Sequence, residues 1–332
     1  MSVRVAIIGC GVMGQRYAAI LRTLPEAEVA GYADPDPKAL KAVGRVASAP
    51  SFADHRALLD AIRPDAVIVC TPDHLHRDAA VDALATGAGI LVEKPLAATV
   101  DDANAICRRA ASVDRPAMVA HILRFDGRYA AGREAVASGR IGRPLHVHAH
   151  RYAAAVDRAR YSPQVTVLTH LAIHDVDLVR WVTGLEIEAT AASAVEDRPG
   201  RSAAVTAYLR LSGGAGAALE AAWILPDAFA GRVWTGFTVL GTEGSLDVPS
   251  THTSVIVHSG AGIEYADPTR FFEWPDGTPR GALRDELAAF VDAVRCGGPS
   301  PVPLTEGVRA VRVVAALARA LETGSQVTVD AE

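Results

Sequence analysis

One lysine stands out in this arginine-rich chain as a residue that could move a proton. Of 33 basic residues only Lys38, Lys41 and Lys94 are lysines, and no lysine follows position 94. The guanidinium of arginine does not lose its proton in proteins, whereas a lysine amine does so when burial or a neighbouring cation lowers its pKa. Lys94 lies in a Glu-Lys-Pro tripeptide that directly follows the apolar run 90–92. We therefore expect Lys94 to donate or accept a proton at the end of a strand, where open α/β sheets place their ligands.

Six residues near the start of the chain have the spacing of a dinucleotide-binding loop. Residues 9–14 read GxGxxG, directly after the apolar run 3–8 and before a helical pattern over 13–24. Glycines let the backbone approach a pyrophosphate, which the positive end of the following helix attracts. The predicted cofactor contacts in this loop are Gly9, Cys10, Gly11, Val12, Met13 and Gly14.

A carboxylate follows this loop at the distance that a nicotinamide dinucleotide requires. Asp34 lies 20 residues after Gly14, at the end of the apolar run 28–33. In this position it can accept hydrogen bonds from both hydroxyls of the adenosine ribose, and it repels a 2′-phosphate. We therefore expect NAD rather than NADP. Lys38 and Lys41 are expected on the exposed face of the next helix, and the alternative is that either turns toward a phosphate.

The pattern of apolar runs predicts two domains of different architecture. Up to residue 120, fully apolar runs alternate with helical patterns, which is typical of a parallel sheet covered on both faces. We interpret 1–120 as a Rossmann dinucleotide-binding domain. Beyond it, strand-like segments follow one another and several alternate apolar and polar residues, as over 145–150. We predict that 121–332 form an α+β domain with a large, mostly antiparallel open sheet, and the helical pattern over 305–321 is a candidate to pack across both domains.

Composition limits the classes of partner and compartment. A chain of 332 residues with 50% hydrophobic and 21% charged residues suits two soluble domains. A net charge of −5 argues against nucleic acid, because a phosphate-binding surface needs a basic excess. Four widely spaced cysteines without a CxxC pair indicate reduced thiols, and no apolar run approaches the length of about 18 residues that spans a bilayer. We expect a cytoplasmic protein with no membrane partner.

The Glu-Lys-Pro tripeptide and the GxGxxG loop together resemble those of the glucose–fructose oxidoreductase/inositol dehydrogenase (Gfo/Idh/MocA) family. The resemblance covers essentially the whole chain. Segment 71–76 resembles the family's nicotinamide-side loop, and 121–125 resembles its strand-end segment with Arg-Phe. Residues 139–144 resemble its G-x-I-G-x-P turn, and the helix around His174 resembles the one that bears its catalytic histidine.

The resemblance implies NAD(P)-dependent oxidation or reduction at a carbon of a sugar, cyclitol or related polyol. Our first hypothesis is an enzyme that uses NAD to oxidise a secondary hydroxyl of a sugar, glycoside, amino sugar or cyclitol to a ketone. Such a reaction removes a hydride from carbon and a proton from oxygen, and a positioned base takes the proton. The resemblance assigns proton transfer to Lys94, with His174 as its partner, and it implies a cis peptide bond after Lys94. It also implies a second set of cofactor contacts, namely Cys70, Thr71, Pro72, His74, His76, Glu93 and Lys94.

One position departs from the family pattern. Many members have an aspartate four residues before the catalytic histidine, whereas this chain has His170. In an α-helix His170 and His174 share a face, so we expect His170 to contact a substrate hydroxyl or to relay a proton. Two alternatives stay open, namely packing without a ligand contact and metal binding together with Asp175 or Asp177. Because the chain lacks HExxH, we expect no metal.

Four further residues are candidate substrate contacts. His121 and Arg124 lie in the strand-end segment, and Tyr152 and Asp157 lie on the segment that in the family enters the substrate cleft. For Arg124 the alternative is an ordinary ion pair between the two domains.

The sequence leaves two other functions open, and it predicts that the protein forms an oligomer. The enzyme alternative is an NAD(P)H-dependent keto-sugar reductase in biosynthesis. The non-enzyme alternative is a dinucleotide sensor, which would require Lys94 or His174 to be missing, and both are present. The predicted helices are too few to cover both faces of the second sheet, so we predict a homodimer or homotetramer formed through that sheet.

Overall fold

The computed structural model describes residues 2–160, 165–198, 201–229, 233–250, 255–259, 262–266, 272–273 and 278–330. Backbone contacts divide the chain into two compact units. The first comprises Met1–Ile122 and Glu273–Val311, and the second comprises Leu123–Phe272 and Arg312–Glu332. The sequence places the domain boundary near residue 120, and the structure in addition groups 273–311 with the first unit.

Six parallel strands form the sheet of the first unit. They are β1 (Val3–Ile8), β2 (Ala27–Ala33), β3 (Ser51–Phe52), β4 (Ala66–Val69), β5 (Gly89–Glu93) and β6 (Ala117–Ala120). Their order is β3-β2-β1-β4-β5-β6, and each described pairing is parallel. Strands β1, β2 and β5 coincide with the apolar runs 3–8, 28–33 and 90–92, whereas β3 is too short to give a periodic signal. The strand order changes direction between β1 and β4, and such a switch point is where open α/β sheets bind ligands.

Five helices follow these strands. They are α1 (Val12–Leu21), α2 (Pro37–Val46), α3 (His55–Ile62), α4 (His76–Ala85) and α5 (Val100–Ala110). Short polar side chains cap three of them, since Asp36, Asp54 and Thr99 accept hydrogen bonds from the first turns of α2, α3 and α5. Helix α1 differs, because its N-cap residue is Gly11, which has no side chain to serve as a cap. The N–H groups at the start of α1 are therefore suited to an external acceptor.

Seven strands form the main sheet of the second unit. The strands of this unit and of the remaining chain are β7 (Pro144–Ala154), β8 (Ile187–Arg198), β9 (Arg201–Leu211), β10 (Gly216–Leu225), β11 (Val233–Gly241), β12 (Ser245–Val248), β13 (Val255–Ser259), β14 (Gly262–Ala266), β15 (Phe272–Glu273), β16 (Pro279–Arg280) and β17 (Val327–Thr328). The main sheet has the order β12-β11-β7-β10-β9-β8-β17, while β13–β14 and β15–β16 form two small sheets. In the main sheet β7 and β10 pair in parallel and the other described pairs are antiparallel, which confirms the predicted fold class.

Strand β7 shows that the two faces of this sheet have different environments. Val147, Ala149 and Arg151 are buried on the face that packs against helix α7 (Ile173–Thr183). His148 and Tyr152 alternate with them and lie on the opposite face, which we call the outer face. Helix α6 (Gly127–Ala137) packs with α7 in the same unit.

Helix α8 (Ala282–Cys296) explains why a C-terminal segment groups with the first unit. Its residues Leu283, Leu287 and Phe290 follow a helical repeat and are buried, and the helix packs against α1 and β1. The last helix, α9 (Leu304–Thr323), contains the boundary between the two groups, which falls after Val311.

A buried ion pair joins the central strand of the second unit to its helix. Arg151 of β7 donates two hydrogen bonds of 2.8 Å to the Asp175 carboxylate of α7. Side-chain exposure is 3% for Arg151 and 1% for Asp175. Burial alone would lower the pKa of the Arg151 guanidinium, but the charge and hydrogen bonds of Asp175, together with Tyr129, outweigh it and raise this pKa above its ordinary value. Each of these two buried charges is therefore stabilised by the other.

We predict that Asp175→Asn destabilises the protein by about 3–5 kcal/mol, because it leaves the Arg151 cation buried without its counter-charge. Urea denaturation measures the free energy of unfolding. The matched control is Asp292→Asn, which breaks the exposed ion pair with Arg295 and should leave the free energy of unfolding nearly unchanged. Equal losses in the two variants would contradict the importance given to the buried pair.

Candidate active site

The carboxyl ends of five parallel strands meet at one edge of the first unit. The last residues of β1, β2, β4, β5 and β6 are in register with their neighbours to within one residue. The residues that end or directly follow these strands therefore lie side by side, and they are Gly9, Asp34, Cys70, Glu93 and His121. All five belong to the residues that the sequence predicts for the site.

The three motif glycines are required for different physical reasons. Gly9 has a φ of +96°, and a Cβ on it would lie 2.6 Å from the backbone carbonyl of Cys70. A Cβ on Gly14 would collide with the carbonyl oxygen of Gly9, so helix α1 could not approach the loop. A Cβ on Gly11, in contrast, would meet nothing within 4 Å. The space beside Gly11 and the uncapped start of α1 together fit a pyrophosphate.

The Asp34 carboxylate lies beside this loop. Its Oδ2 accepts a 2.7 Å hydrogen bond from the Cys10 N–H, and its Oδ1 accepts one of 2.8 Å from the Asp36 N–H. These bonds fix the carboxylate at the end of β2, where a ribose would be held. Lys38 and Lys41 are exposed on α2, in agreement with the first alternative given for them.

The two cysteines of the loop region are weakly acidic thiols. Burial, followed by the negative charge of the Asp34 carboxylate, raises the pKa of Cys10 to about 12. Burial also raises the pKa of Cys70 well above its ordinary value, and its Sγ–H donates to the Gly9 carbonyl at 3.0 Å. Both side chains are therefore protonated packing groups at neutral pH, so neither is a nucleophile.

His76 joins the nicotinamide-side loop to the Glu-Lys-Pro tripeptide. Its side chain is buried, with Nδ1 at 2.9 Å from the Pro95 carbonyl oxygen and Nε2 at 2.8 Å from the Thr71 carbonyl oxygen. Burial lowers the pKa of the imidazole. Both ring nitrogens face backbone carbonyl oxygens, and the neutral ring has one N–H to donate to them. The ring is therefore held within the protein, and the structure supports no direct cofactor contact by it. His74, in the short helix Asp73–Leu75, remains exposed.

Lys94 follows β5 at the sheet edge and is partly exposed. The Lys94–Pro95 peptide bond is cis, as the resemblance implies. The backbone N–H of Lys94 donates to the Glu93 carboxylate at 3.1 Å, and the buried Tyr17 hydroxyl donates to the same carboxylate at 2.8 Å. Burial raises the pKa of Glu93, while the charge of Lys94 and the Tyr17 hydrogen bond lower it.

His170 and His174 lie in different helical geometries. His174 belongs to α7, whereas His170 lies in the π-helical turn Leu168–Ala172 that precedes it. In a π turn each N–H donates five residues back, so the α-helical spacing that would give both histidines one face does not apply. The ring of His170 stacks on Trp223 of β10, with ring centroids 5.5 Å apart.

The other predicted substrate residues have distinct surroundings. Arg124 donates bidentately to Asp177 of α7 at 2.6 and 3.0 Å, and this ion pair lies within the second unit. Asp157 lies in the short helix Ala155–Arg160 and is partly exposed. Tyr152 points to the outer face, where its hydroxyl bonds to Glu220. His121 is buried directly after β6.

Two residues near Glu93 were not predicted from the sequence to belong to the site. Tyr17 contacts Glu93, and Glu286 of α8 is fully buried near Tyr17. The available signal was Glu286 itself, a charged residue between Leu283 and Leu287 on the apolar stripe of its helix.

The described part of the chain holds neither a cluster for a metal ion nor a helix that could span a membrane. No group of three or more histidines, cysteines, aspartates or glutamates there is placed to hold a metal ion. Among the same residues, no helix combines the length and apolarity that crossing a membrane demands.

Comparison with known proteins agrees with this geometry. The family model described as an oxidoreductase family with an NAD-binding Rossmann fold matches residues 3–121, and the model of its C-terminal alpha/beta domain matches residues 133–329. Inositol 2-dehydrogenase 1 of Saccharopolyspora erythraea is 31% identical over 99% of this chain and 97% of its own length. The scyllo-inositol 2-dehydrogenase (NAD(+)) of Bacillus subtilis is 26% identical over 90% of this chain and 88% of its own.

A solved structure shares the fold. The scyllo-inositol dehydrogenase from Lactobacillus casei with bound NAD(H) and scyllo-inositol has a TM-score of 0.84, at 21% identity and 99% coverage of both chains. Matches to both family models span most of the sequence and include the motifs described above. The chain therefore belongs to the Gfo/Idh/MocA family of oxidoreductases, with an NAD-binding Rossmann fold followed by the family's C-terminal alpha/beta domain.

Proposed function

We propose that the protein uses NAD to oxidise a secondary hydroxyl of a cyclitol of the inositol type to a ketone. The observation that carries the proposal is the placement of Lys94 at the sheet edge that also holds the glycine loop and Asp34. Among the substrate classes that the sequence leaves open, the names of the relatives in two organisms favour a cyclitol.

Lys94 is the proposed base. NAD, when bound in the glycine loop, supplies the hydride acceptor. The Lys94 amine takes the hydroxyl proton while the carbon loses its hydride, so that the C–O single bond becomes a carbonyl and one proton passes to the lysine. The amine must be neutral to do this, and arginine could not replace it.

His174 is the proposed partner of Lys94, positioned at the start of α7. Two buried carboxylates of the same helix, Asp175 and Asp177, are each held by an arginine. We assign substrate contacts to His121, His170, Arg124 and Asp157. Because Tyr152 faces away from α7, we exclude it from the proposed substrate contacts.

We predict that the purified protein reduces NAD in the presence of at least one inositol isomer. The measurement is the rise of nicotinamide absorbance with myo- and scyllo-inositol, with aldoses, methyl glycosides and amino sugars as comparison substrates. Because Asp34 repels a 2′-phosphate, the rate with NADP should be lower by at least about tenfold, which corresponds to about 1.4 kcal/mol. Oxidation of another substrate class with no cyclitol activity would overturn the assignment.

The matched control for this measurement is Lys94→Arg, which keeps the positive charge and removes the ability to take a proton. Its kcat should fall by about 10²- to 10⁴-fold while NADH binding, followed by fluorescence, stays intact. A fully active Lys94→Arg enzyme would show that the base is another group.

The outer face of the second sheet is the proposed subunit interface. Four large apolar side chains are exposed there, and their exposures are 52% for Tyr208, 56% for Ile224, 43% for Trp234 and 46% for Leu240. Their strands β9, β10 and β11 lie close together in the sheet. A second copy of the chain could bury the same face symmetrically, which is how most homodimers form. We propose that the protein is a homodimer or homotetramer through this face.

We predict that Leu240→Glu lowers the molar mass in solution toward that of a monomer, because it places a charge in the proposed interface. Light scattering at micromolar concentration measures the mass. The control is Leu145→Glu, since Leu145 has a similar exposure of 42% but lies on the opposite face of β7. A monomeric wild-type protein would contradict the proposed interface.

A further inference from the structure

A row of polar side chains in the first unit leads from Glu286 through Tyr17 and Glu93 to the backbone of Lys94. Glu286 of α8 is 0% exposed, and its Oε2 lies 3.4 Å from the hydroxyl of Tyr17. Its Oε1 has no hydrogen-bond partner among the described residues. Tyr17 of α1 is also 0% exposed, and its hydroxyl lies 2.8 Å from the Glu93 carboxylate. The Glu93 carboxylate in turn accepts a hydrogen bond from the backbone N–H of Lys94.

The hydroxyl hydrogen of Tyr17 decides which group donates and which accepts in this row of side chains. The Tyr17 hydroxyl has a single hydrogen, and two carboxyl groups approach its oxygen. The shorter distance identifies Glu93 as the acceptor of that hydrogen. The oxygen of Tyr17 then faces Glu286, and two oxygens at this distance attract each other only if Glu286 carries a proton to donate.

The surrounding charges favour the same arrangement. Burial, followed by the negative charge of Glu93, raises the pKa of Glu286 well above its ordinary value. Burial raises the pKa of Glu93 as well, but the positive charges of Lys94 and Arg16 and the Tyr17 hydrogen bond oppose this rise. Of the two carboxyl groups, Glu286 is therefore the one that holds a proton, and Glu93 is the one that ionises.

We propose that Glu286 is a neutral acid that donates to Tyr17, so that Tyr17 donates to Glu93 and fixes this carboxylate beside Lys94. Glu286 and Tyr17 are positioning residues, because they act on the reaction through Glu93 and Lys94. This role rests on the proposed function of Lys94 as the base. The opposing explanation is that Glu286 is a polar residue tolerated in the core without influence on Lys94.

The first experiment needs no substrate and tests the proton on Glu286. A folded-state pKa above the unfolded value of about 4.5 means that the folded protein keeps a proton which the unfolded chain releases. This stabilisation is complete below the unfolded pKa and is lost as pH rises toward the folded pKa. Urea unfolding midpoints of the wild type should therefore fall relative to those of Glu286→Gln between about pH 5 and about pH 8. Parallel midpoints would show that Glu286 is ionised and would overturn the proposal.

The second experiment tests positioning with three variants of the full-length enzyme. Glu286→Gln keeps a donor for Tyr17 and should retain kcat within about threefold, whereas Glu286→Leu fills the same space without a donor. Glu286→Leu and Tyr17→Phe should lower kcat by about 10- to 100-fold, with the KM for NAD unchanged. Equal losses in the Gln and Leu variants, or no loss in either, would contradict the proposed donor.

The pH profile separates positioning from general destabilisation. The Tyr17 hydrogen bond lowers the pKa of Glu93, so its removal in Tyr17→Phe raises that pKa. Because Glu93 holds Lys94 only while its carboxyl group is ionised, the acidic limb of kcat/KM should include this ionisation and move to higher pH in Tyr17→Phe but not in Glu286→Gln. An unshifted limb would overturn the link from Tyr17 to Lys94. If the wild type oxidises no cyclitol, the unfolding experiment still decides whether Glu286 holds the proton.

Discussion

The register of a parallel sheet is the constraint on which the candidate site depends. Strands that run the same way and pair in register end at the same edge, so residues far apart in sequence become neighbours there. This places the glycine loop, Asp34 and Glu93 in one row. His76 adds a second restraint, because its ring lies between the carbonyls of Thr71 and Pro95, and Pro95 directly follows Lys94.

The two units neutralise their buried carboxyl groups in different ways. In the second unit Asp175 and Asp177 each receive a bidentate arginine, which allows two carboxylates to lie on the helix of His174 away from water. In the first unit no cation is placed to neutralise Glu286 among the described groups that act on it. A proton serves this purpose instead, and the protonated acid becomes a hydrogen-bond donor.

The features predictable from sequence were those encoded over short distances. The glycine loop, Asp34 and Lys94 could be placed because each directly follows an apolar run that forms a strand. The use of His76 could not be predicted, since its ring binds backbone atoms that no residue pattern specifies. The π turn at His170 altered a geometry that the spacing assumed to be α-helical. Tyr17 and Glu286 are separated by 269 residues, so only the folded chain shows their contact.

The central claim is that a hydride leaves a cyclitol carbon for NAD while Lys94 takes the hydroxyl proton. The most direct test supplies an inositol isomer deuterated at its ring carbons and determines the mass of the NADH produced. The account predicts NADH that carries one deuterium atom from the substrate. NADH without deuterium, formed at a rate that depends on the inositol, would contradict it.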